Sequence, residues 1–334
     1  MLCVDIYRAG CLWHICCLKE DFYEKIGSNA VYLQICKDSF MFRFQRTLRK
    51  NIHFNGVGLH TGYAVNLTLL PAPPNTGIRF RRTDLQYFEI EARRKFVAKV
   101  SYATTLMKKG VMISTVEHIL SALYGLGIDN LYLDIDSMEV PIMDGSCACF
   151  TDAIQETDID EQDEPRRYLV VEKPIEIRQG DKTAGVYPSG VPSATCIIDF
   201  THPAIGRQQI DMELTPESFR RELARARTFG FMADVEYLQG LGLARGGSLE
   251  NSVVLDSSGI LNDSLRFPDE FVRHKLLDLF GDIALTGFPI IGHFHAERAG
   301  HAIHTALAEQ ILRKPDHCRI RTADEIEDVL DATG

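Results

Sequence analysis

The sequence predicts an α+β protein made of two similarly built halves. Two helical segments and several strand-like runs fall on each side of an acidic stretch from Glu156 to Arg167, which has the composition of a linker. A length of 334 residues accommodates two domains. No internal sequence repeat accompanies the similarity. The expected division is an extra N-terminal segment over 1–40, a first α+β domain over 41–160 and a second over 161–334.

Composition narrows the function classes. Hydrophobic residues make up 45% and charged residues 25%, as in an ordinary soluble globular protein. The net charge of -10 argues against nucleic acid or an anionic membrane surface as partner, because both require a basic field. No run reaches the roughly 18 to 20 apolar residues of a membrane-spanning helix. Five of the nine cysteines precede Met41, and the rest (Cys147, Cys149, Cys196, Cys318) form no Cys-x-x-Cys pair. Unpaired thiols in a chain of this size suit a reducing cytoplasm.

Residues 1–40 show no sustained period. Arg8 stands alone and His14 interrupts a short apolar run, which is not the pattern of a secretion signal. The segment is expected to be an appendage from an upstream start, with Met41 as the initiator. From Phe42 a pattern begins. Gly56 to Gly62 reads as a hairpin connection into the alternating strand Val65–Leu69, and Pro71 to Asn75 is a break. Ser114 to Tyr124 reads as a helix, with Ser114 and Glu117 spaced as a capping box. Leu131, Leu133 and Ile135 alternate with polar residues as a strand, and Met143–Ser146 turns into a helix near 147–156.

Beyond the linker, Tyr168–Ile177 and Thr195–Phe200 read as strands and Pro216–Arg227 as a helix. The segment from about 231 to 255 is apolar and carries Gly240, Gly242, Gly246 and Gly247, so it reads as a mobile insert packed on the core. Val272, Leu276, Leu279, Phe280 and Ile283 then mark the buried stripe of an amphipathic helix, closed by Gly287 and Pro289. A strand over 288–294, a turn at Gly300-His301 and a helix from about Ala302 to Arg313 follow.

On that amphipathic helix His274, Asp278 and Asp282 form a second row. Residues four apart lie one above the other, so His274 and Asp278 can close on one ion. A catalytic zinc commonly takes three protein ligands and leaves one position open. His118 is a natural third, because Glu117 stands beside it and could take the proton of a water whose pKa the metal lowers to about 7. His301 could protonate the leaving amine, and Thr228 could donate to the developing oxyanion. The competing explanation for His274 and Asp278 is a surface pair worth a few tenths of a kcal/mol. His60, His293, His295 and His304 compete as ligands, and His293 with His295 would share one face of a strand as a second metal clip.

Several ordered segments carry more information than any single spacing. They are Gln45–Leu48, Gly56–Gly62, Ser114–His118, Gly127–Asn130, Pro141–Ser146, Ala226–Phe231 and Phe271–Asp278. Together they closely resemble the bacterial UDP-3-O-acyl-N-acetylglucosamine deacetylase family, from about Phe42 to about Arg313. The resemblance implies a cytoplasmic zinc amidase of Gram-negative bacteria that removes acetate from an acylated sugar nucleotide in the committed step of lipid A synthesis. It implies His118, His274 and Asp278 as ligands of Zn2+, with Fe2+ also suited to nitrogen and oxygen donors. It further implies Glu117 as general base, His301 as acid or cation near the oxyanion, Thr228 as oxyanion donor and Asp282 as support for the catalytic histidine. Phe229, Phe231 and Lys275 match substrate-contacting positions, and the 231–255 insert matches a channel for the acyl chain. The implied fold is two α+β domains, each a sheet layered on two helices, with the site between them.

Three features depart from the family pattern: residues 1–40, the run Cys147-Ala148-Cys149, and the tail after Arg313. All are expected to lie clear of the site. The rival readings are a metal-dependent amidase of another substrate and a catalytically silent binder of sugar nucleotides or acyl chains.

Overall fold

A computed structural model describes residues 41–333, and the expectations for 1–40 lie outside them. The fold is a mixture of helices and several sheets, as the patterning predicts. The first five-stranded sheet runs Ile52–Val57, Ala64–Pro71, Leu131–Ile135, Ile78–Arg82, Phe88–Glu91 from edge to edge. The second runs Ile175–Gln179, Lys182–Tyr187, His293–Glu297, Ser193–Asp199, Arg207–Glu213. Both have the same sense of pairing. The first two neighbours are antiparallel, the central strand pairs antiparallel on one side and parallel on the other, and the last pair is antiparallel. The likeness between halves, invisible as a sequence repeat, is therefore present in strand order.

The helices are α1 (Glu117–Leu126), α2 (Ala148–Glu156), α3 (Met232–Gly240), α4 (Glu270–Ile283), α5 (His301–Arg313) and α6 (Ala323–Thr333). One continuous apolar cluster joins Leu67, Phe80 and Leu133 of the first sheet to Val186 and Phe294 of the second, through Leu120 of α1 and Leu276 of α4. Among the described residues no helix is long and apolar enough to cross a membrane.

Helix α4 departs from the amphipathic expectation. Every residue of it except Lys275 is buried, because α1 and α5 pack against it and strands Ser193–Asp199 and Arg207–Glu213 lie beneath. The polar row is thus enclosed along with the apolar stripe. Gly281 permits the closest approach: a Cβ there would meet the Glu117 carbonyl oxygen at 2.1 Å. Alanine is better than glycine in a helix by about 0.8–1 kcal/mol. Gly281→Ala is nevertheless expected to destabilise the protein by about 1–3 kcal/mol, as overpacking does, read as a lower urea midpoint.

Several sequence expectations change. Ile159–Pro165, expected as linker, is a strand paired antiparallel with Phe44–Leu48. Its side chains are mostly exposed, and backbone pairing needs no apolar residues, so its polar composition concealed it. The capping box at Ser114 and Glu117 does not form: Val116 is the N-cap of α1, Ser114 Oγ pairs with Thr105 Oγ1, and Glu117 turns inward. The helix predicted over Pro216–Arg227 is a single α-turn, Pro216–Ser218, followed by a wider π-turn over Phe219–Leu223. The strand predicted over 288–294 is two, Ile290–Ile291 and His293–Glu297, in different sheets. After Arg313 the chain adds strand Cys318–Thr322 on the edge of a three-stranded sheet, and α6. The 231–255 insert holds α3, which buries Leu238 and leaves Tyr237 exposed.

Candidate active site

The site forms where the first turn of α1, the middle of α4 and the first residue of α5 meet. His118, His274 and Asp278 are 4%, 2% and 2% exposed, which excludes a solvated surface pair. Their ligand atoms lie within 4.8 Å of one another. His274 Nε2 is 3.3 Å and His118 Nε2 4.0 Å from Asp278 Oδ1, and the two imidazoles stand edge to face at 5.0 Å.

The protonation states of this group fit a cation. His274 Nδ1 lies 3.0 Å from the Ala226 carbonyl oxygen, which can only accept, so Nδ1 carries the hydrogen and Nε2 presents a lone pair. Burial, reinforced by His274, pushes the His118 imidazole down to about 3, so it is neutral at neutral pH. Burial pushes the Asp278 carboxyl up, but Lys275 and the surrounding imidazoles outweigh that and hold it well below the usual carboxylate range. Two neutral imidazoles and one carboxylate are a donor set for a divalent metal.

The carbonyl that orients His274 belongs to a segment held from several directions. Glu270 Oε1 accepts from the Arg227 backbone N–H and from Arg227 Nε, both at 2.9 Å. Thr228 N–H donates to the Gly145 carbonyl, and the Thr228 carbonyl accepts from Val253 N–H. Gly145 has φ +81°, and a Cβ there would lie 1.9 Å from the Asn251 carbonyl oxygen, so only glycine lets this loop nest against the insert. Glu270→Ala leaves the buried Arg227 guanidinium without its partner, at a cost of about 3–5 kcal/mol. Burial raises the Glu270 carboxyl, but its bonds from Arg227 and Arg266 outweigh that and lower it below 4.5. A depressed folded value contributes stability above the unfolded pKa and loses it as pH falls through the folded value. The stability gap between the wild type and Glu270→Gln is therefore expected to narrow in acid below about pH 4, in denaturant titrations at stepped pH.

Across from the ligand cluster, His301 Nε2 is 3.9 Å from both Glu117 Oε1 and Asp278 Oδ2. His301 Nδ1 donates to Asp282 Oδ2 at 2.8 Å, and His304 Nδ1 approaches the same oxygen at 3.0 Å. Burial lowers His301, but Asp282, Asp278 and Glu117 together raise it to about 10. Burial raises Glu117 to about 7 against the opposing pull of His301. A carboxyl and an imidazole with reversed tendencies thus face one another at 3.9 Å beside the His118, His274 and Asp278 group.

The family model of UDP-3-O-acyl N-acetylglycosamine deacetylases matches residues 45–313. The chain belongs to the UDP-3-O-acyl-N-acetylglucosamine deacetylase family. A deacetylase of that name from Myxococcus xanthus is 50% identical over 273 residues, 81% of this chain and 87% of the relative. One from Solibacter usitatus is 46% identical over 85% of this chain and 96% of its own length. Another, from Citrifermentans bemidjiense, is 46% identical over 275 residues. As a member of the deacetylase family the chain is a hydrolase.

The remaining residues singled out from sequence fall around this centre. The Phe229 ring is 6.4 Å from His274, and Lys275 Nζ stands 5.4 Å from that ring while pairing with Asp278 Oδ2 at 2.9 Å. Phe231 lies further along, against Phe200 and His202. His293 and His295 do share a strand face, but His293 is held by Ser193 and Thr195, and among the described residues no third ligand joins the pair. His60 sits in the Gly58–Gly62 turn, its N–H on Glu139, outside both ligand groups. His304 belongs to the Asp282 group and not to that of His118.

Contacts of two residues escaped the sequence reading. Cys147, expected to lie clear of the site, donates its thiol to the His118 carbonyl oxygen at 3.1 Å. Thr104 N–H donates to Glu117 Oε2 at 3.0 Å, and Thr104 Oγ1 to Asp282 Oδ1 at 2.5 Å. No local pattern marks either residue, because both reach partners through the tertiary fold.

Proposed function

We propose that this chain hydrolyses the N-acetyl group of UDP-3-O-(3-hydroxyacyl)-N-acetylglucosamine, releasing acetate, in the cytoplasmic committed step of lipid A synthesis. The observation that carries this reading is the enclosed His118, His274 and Asp278 group, with Glu117 and His301 facing each other 3.9 Å apart beside it. These three residues would hold Zn2+, and Fe2+ suits the same donors. A cation there supplies Lewis acidity and acidifies coordinated water.

Glu117 is the general base: it accepts a proton as the water oxygen adds to the amide carbonyl carbon. Thr228 donates its hydroxyl to the oxygen on which negative charge develops. His301 gives its Nε2 proton to the amide nitrogen as the carbon–nitrogen bond breaks, so acetate and the free amino sugar leave. Asp282, through His301 Nδ1, keeps that ring in the donating orientation. Phe229, Phe231 and Lys275 contact the substrate, Lys275 being held in place by Asp278. The 231–255 insert lines the passage for the acyl chain, and 41–160 and 161–334 act as two domains with the site between them.

The purified protein is expected to release one acetate per acylated sugar nucleotide and to leave free N-acetylglucosamine intact. Equal rates on both would assign an amidase of other specificity. Substrate binding without acetate release would assign a silent binder.

A further inference from the structure

We propose that Thr104 is a positioning residue that sets the geometry between Glu117 and His301; the inference rests on the roles proposed above for those two residues and Asp282. Thr104 is fully buried and lies 13 positions from Glu117 and 178 from Asp282, yet it touches both. Its N–H occupies Glu117 Oε2, which leaves Oε1, the oxygen facing His301, free to take a proton. Its hydroxyl occupies Asp282 Oδ1, which leaves Oδ2 for His301 Nδ1. Thr104 therefore selects the working oxygen of each carboxylate.

The contacts close a ring. It runs from Glu117 through Thr104 to Asp282, on to His301, and back across 3.9 Å to Glu117. The Thr104 carbonyl also accepts from Val116 N–H, one residue before Glu117, so its main chain grips the start of α1. The hydroxyl couples that grip to α4. His304 adds a further donor to Asp282 Oδ2.

Thr104→Val keeps the shape of the side chain and removes the donor. Its kcat is expected to fall about 10- to 100-fold, the scale of a small misplacement of catalytic groups, with KM and bound metal unchanged. Thr104→Ser, which restores the hydroxyl, is expected to return kcat to near wild type, and Thr104→Ala to match Thr104→Val. Added to Asp282→Asn, the valine substitution is expected to cost nothing more, because both break one link. In the metal-free protein the downfield proton resonance of His301 Nδ1–H should move in Thr104→Val and hold in Thr104→Ser.

An unchanged kcat in Thr104→Val, a loss confined to KM, or failure of serine to restore turnover would each overturn the inference. If Glu117→Gln and Asp282→Asn collapse turnover while Thr104→Val does not, only this inference fails. If those two are also active, the roles on which it rests fail.

Discussion

Glu117→Ala is expected to lower turnover by roughly 10²-fold or more, the scale of losing a general base, while the protein keeps its metal. The side chain is buried, its Oε2 is held by Thr104, and its Oε1 lies 3.9 Å from His301 Nε2. It lies outside the His118, His274 and Asp278 group proposed to hold the metal. Catalysis and metal content should therefore separate in this variant. Parallel measurement of acetate release and metal stoichiometry checks both. Deacetylation near the wild-type rate would remove Glu117 from the chemistry, and simultaneous metal loss would make it a ligand.

Asp278→Ala is expected to release the metal. Of the three residues proposed to hold the metal, Asp278 is the one carboxylate, and both imidazoles lie around its Oδ1. Removing it should weaken binding by more than ~100-fold, beyond the 10- to 100-fold typical of outer supporting partners. The substitution also leaves Lys275 without the carboxylate it pairs with at 2.9 Å, so Asp278→Asn, which preserves shape, is the companion variant. After dialysis both are expected to contain no stoichiometric metal by elemental analysis. Retention of one equivalent would show that the ligand set is drawn elsewhere.

These expectations trace back to the sequence unevenly. The row of His274, Asp278 and Asp282 was legible because helical spacing is local and periodic. Its burial was not, since α4 is enclosed by α1, α5 and a sheet that are distant in the chain. Helix α1 was legible by its apolar run, whereas its start was misread: a Ser-x-x-Glu spacing meets the requirements of a capping box, and here Thr104 takes the glutamate instead. The strand Ile159–Pro165 was hidden by the same physics that makes it tolerable, an exposed ribbon that needs few apolar residues.

The third proposed ligand, His118, shows the same division. Spacing could nominate His118 only through its neighbour Glu117, and the family resemblance named it. The fold places its Nε2 4.0 Å from Asp278 Oδ1 by packing α1 on α4 at Gly281. The contacts of Thr104 and Cys147 had no local signal, because their partners are reached only once the sheets and helices have assembled.

Titrating the metal-stripped protein with Zn2+ while following acetate release from the acylated sugar nucleotide tests the central claim most directly. Turnover is expected to rise linearly and to saturate at one equivalent per chain, with Asp278→Ala flat over the same range. Full activity in the stripped protein, or saturation only at a second equivalent, would contradict the account.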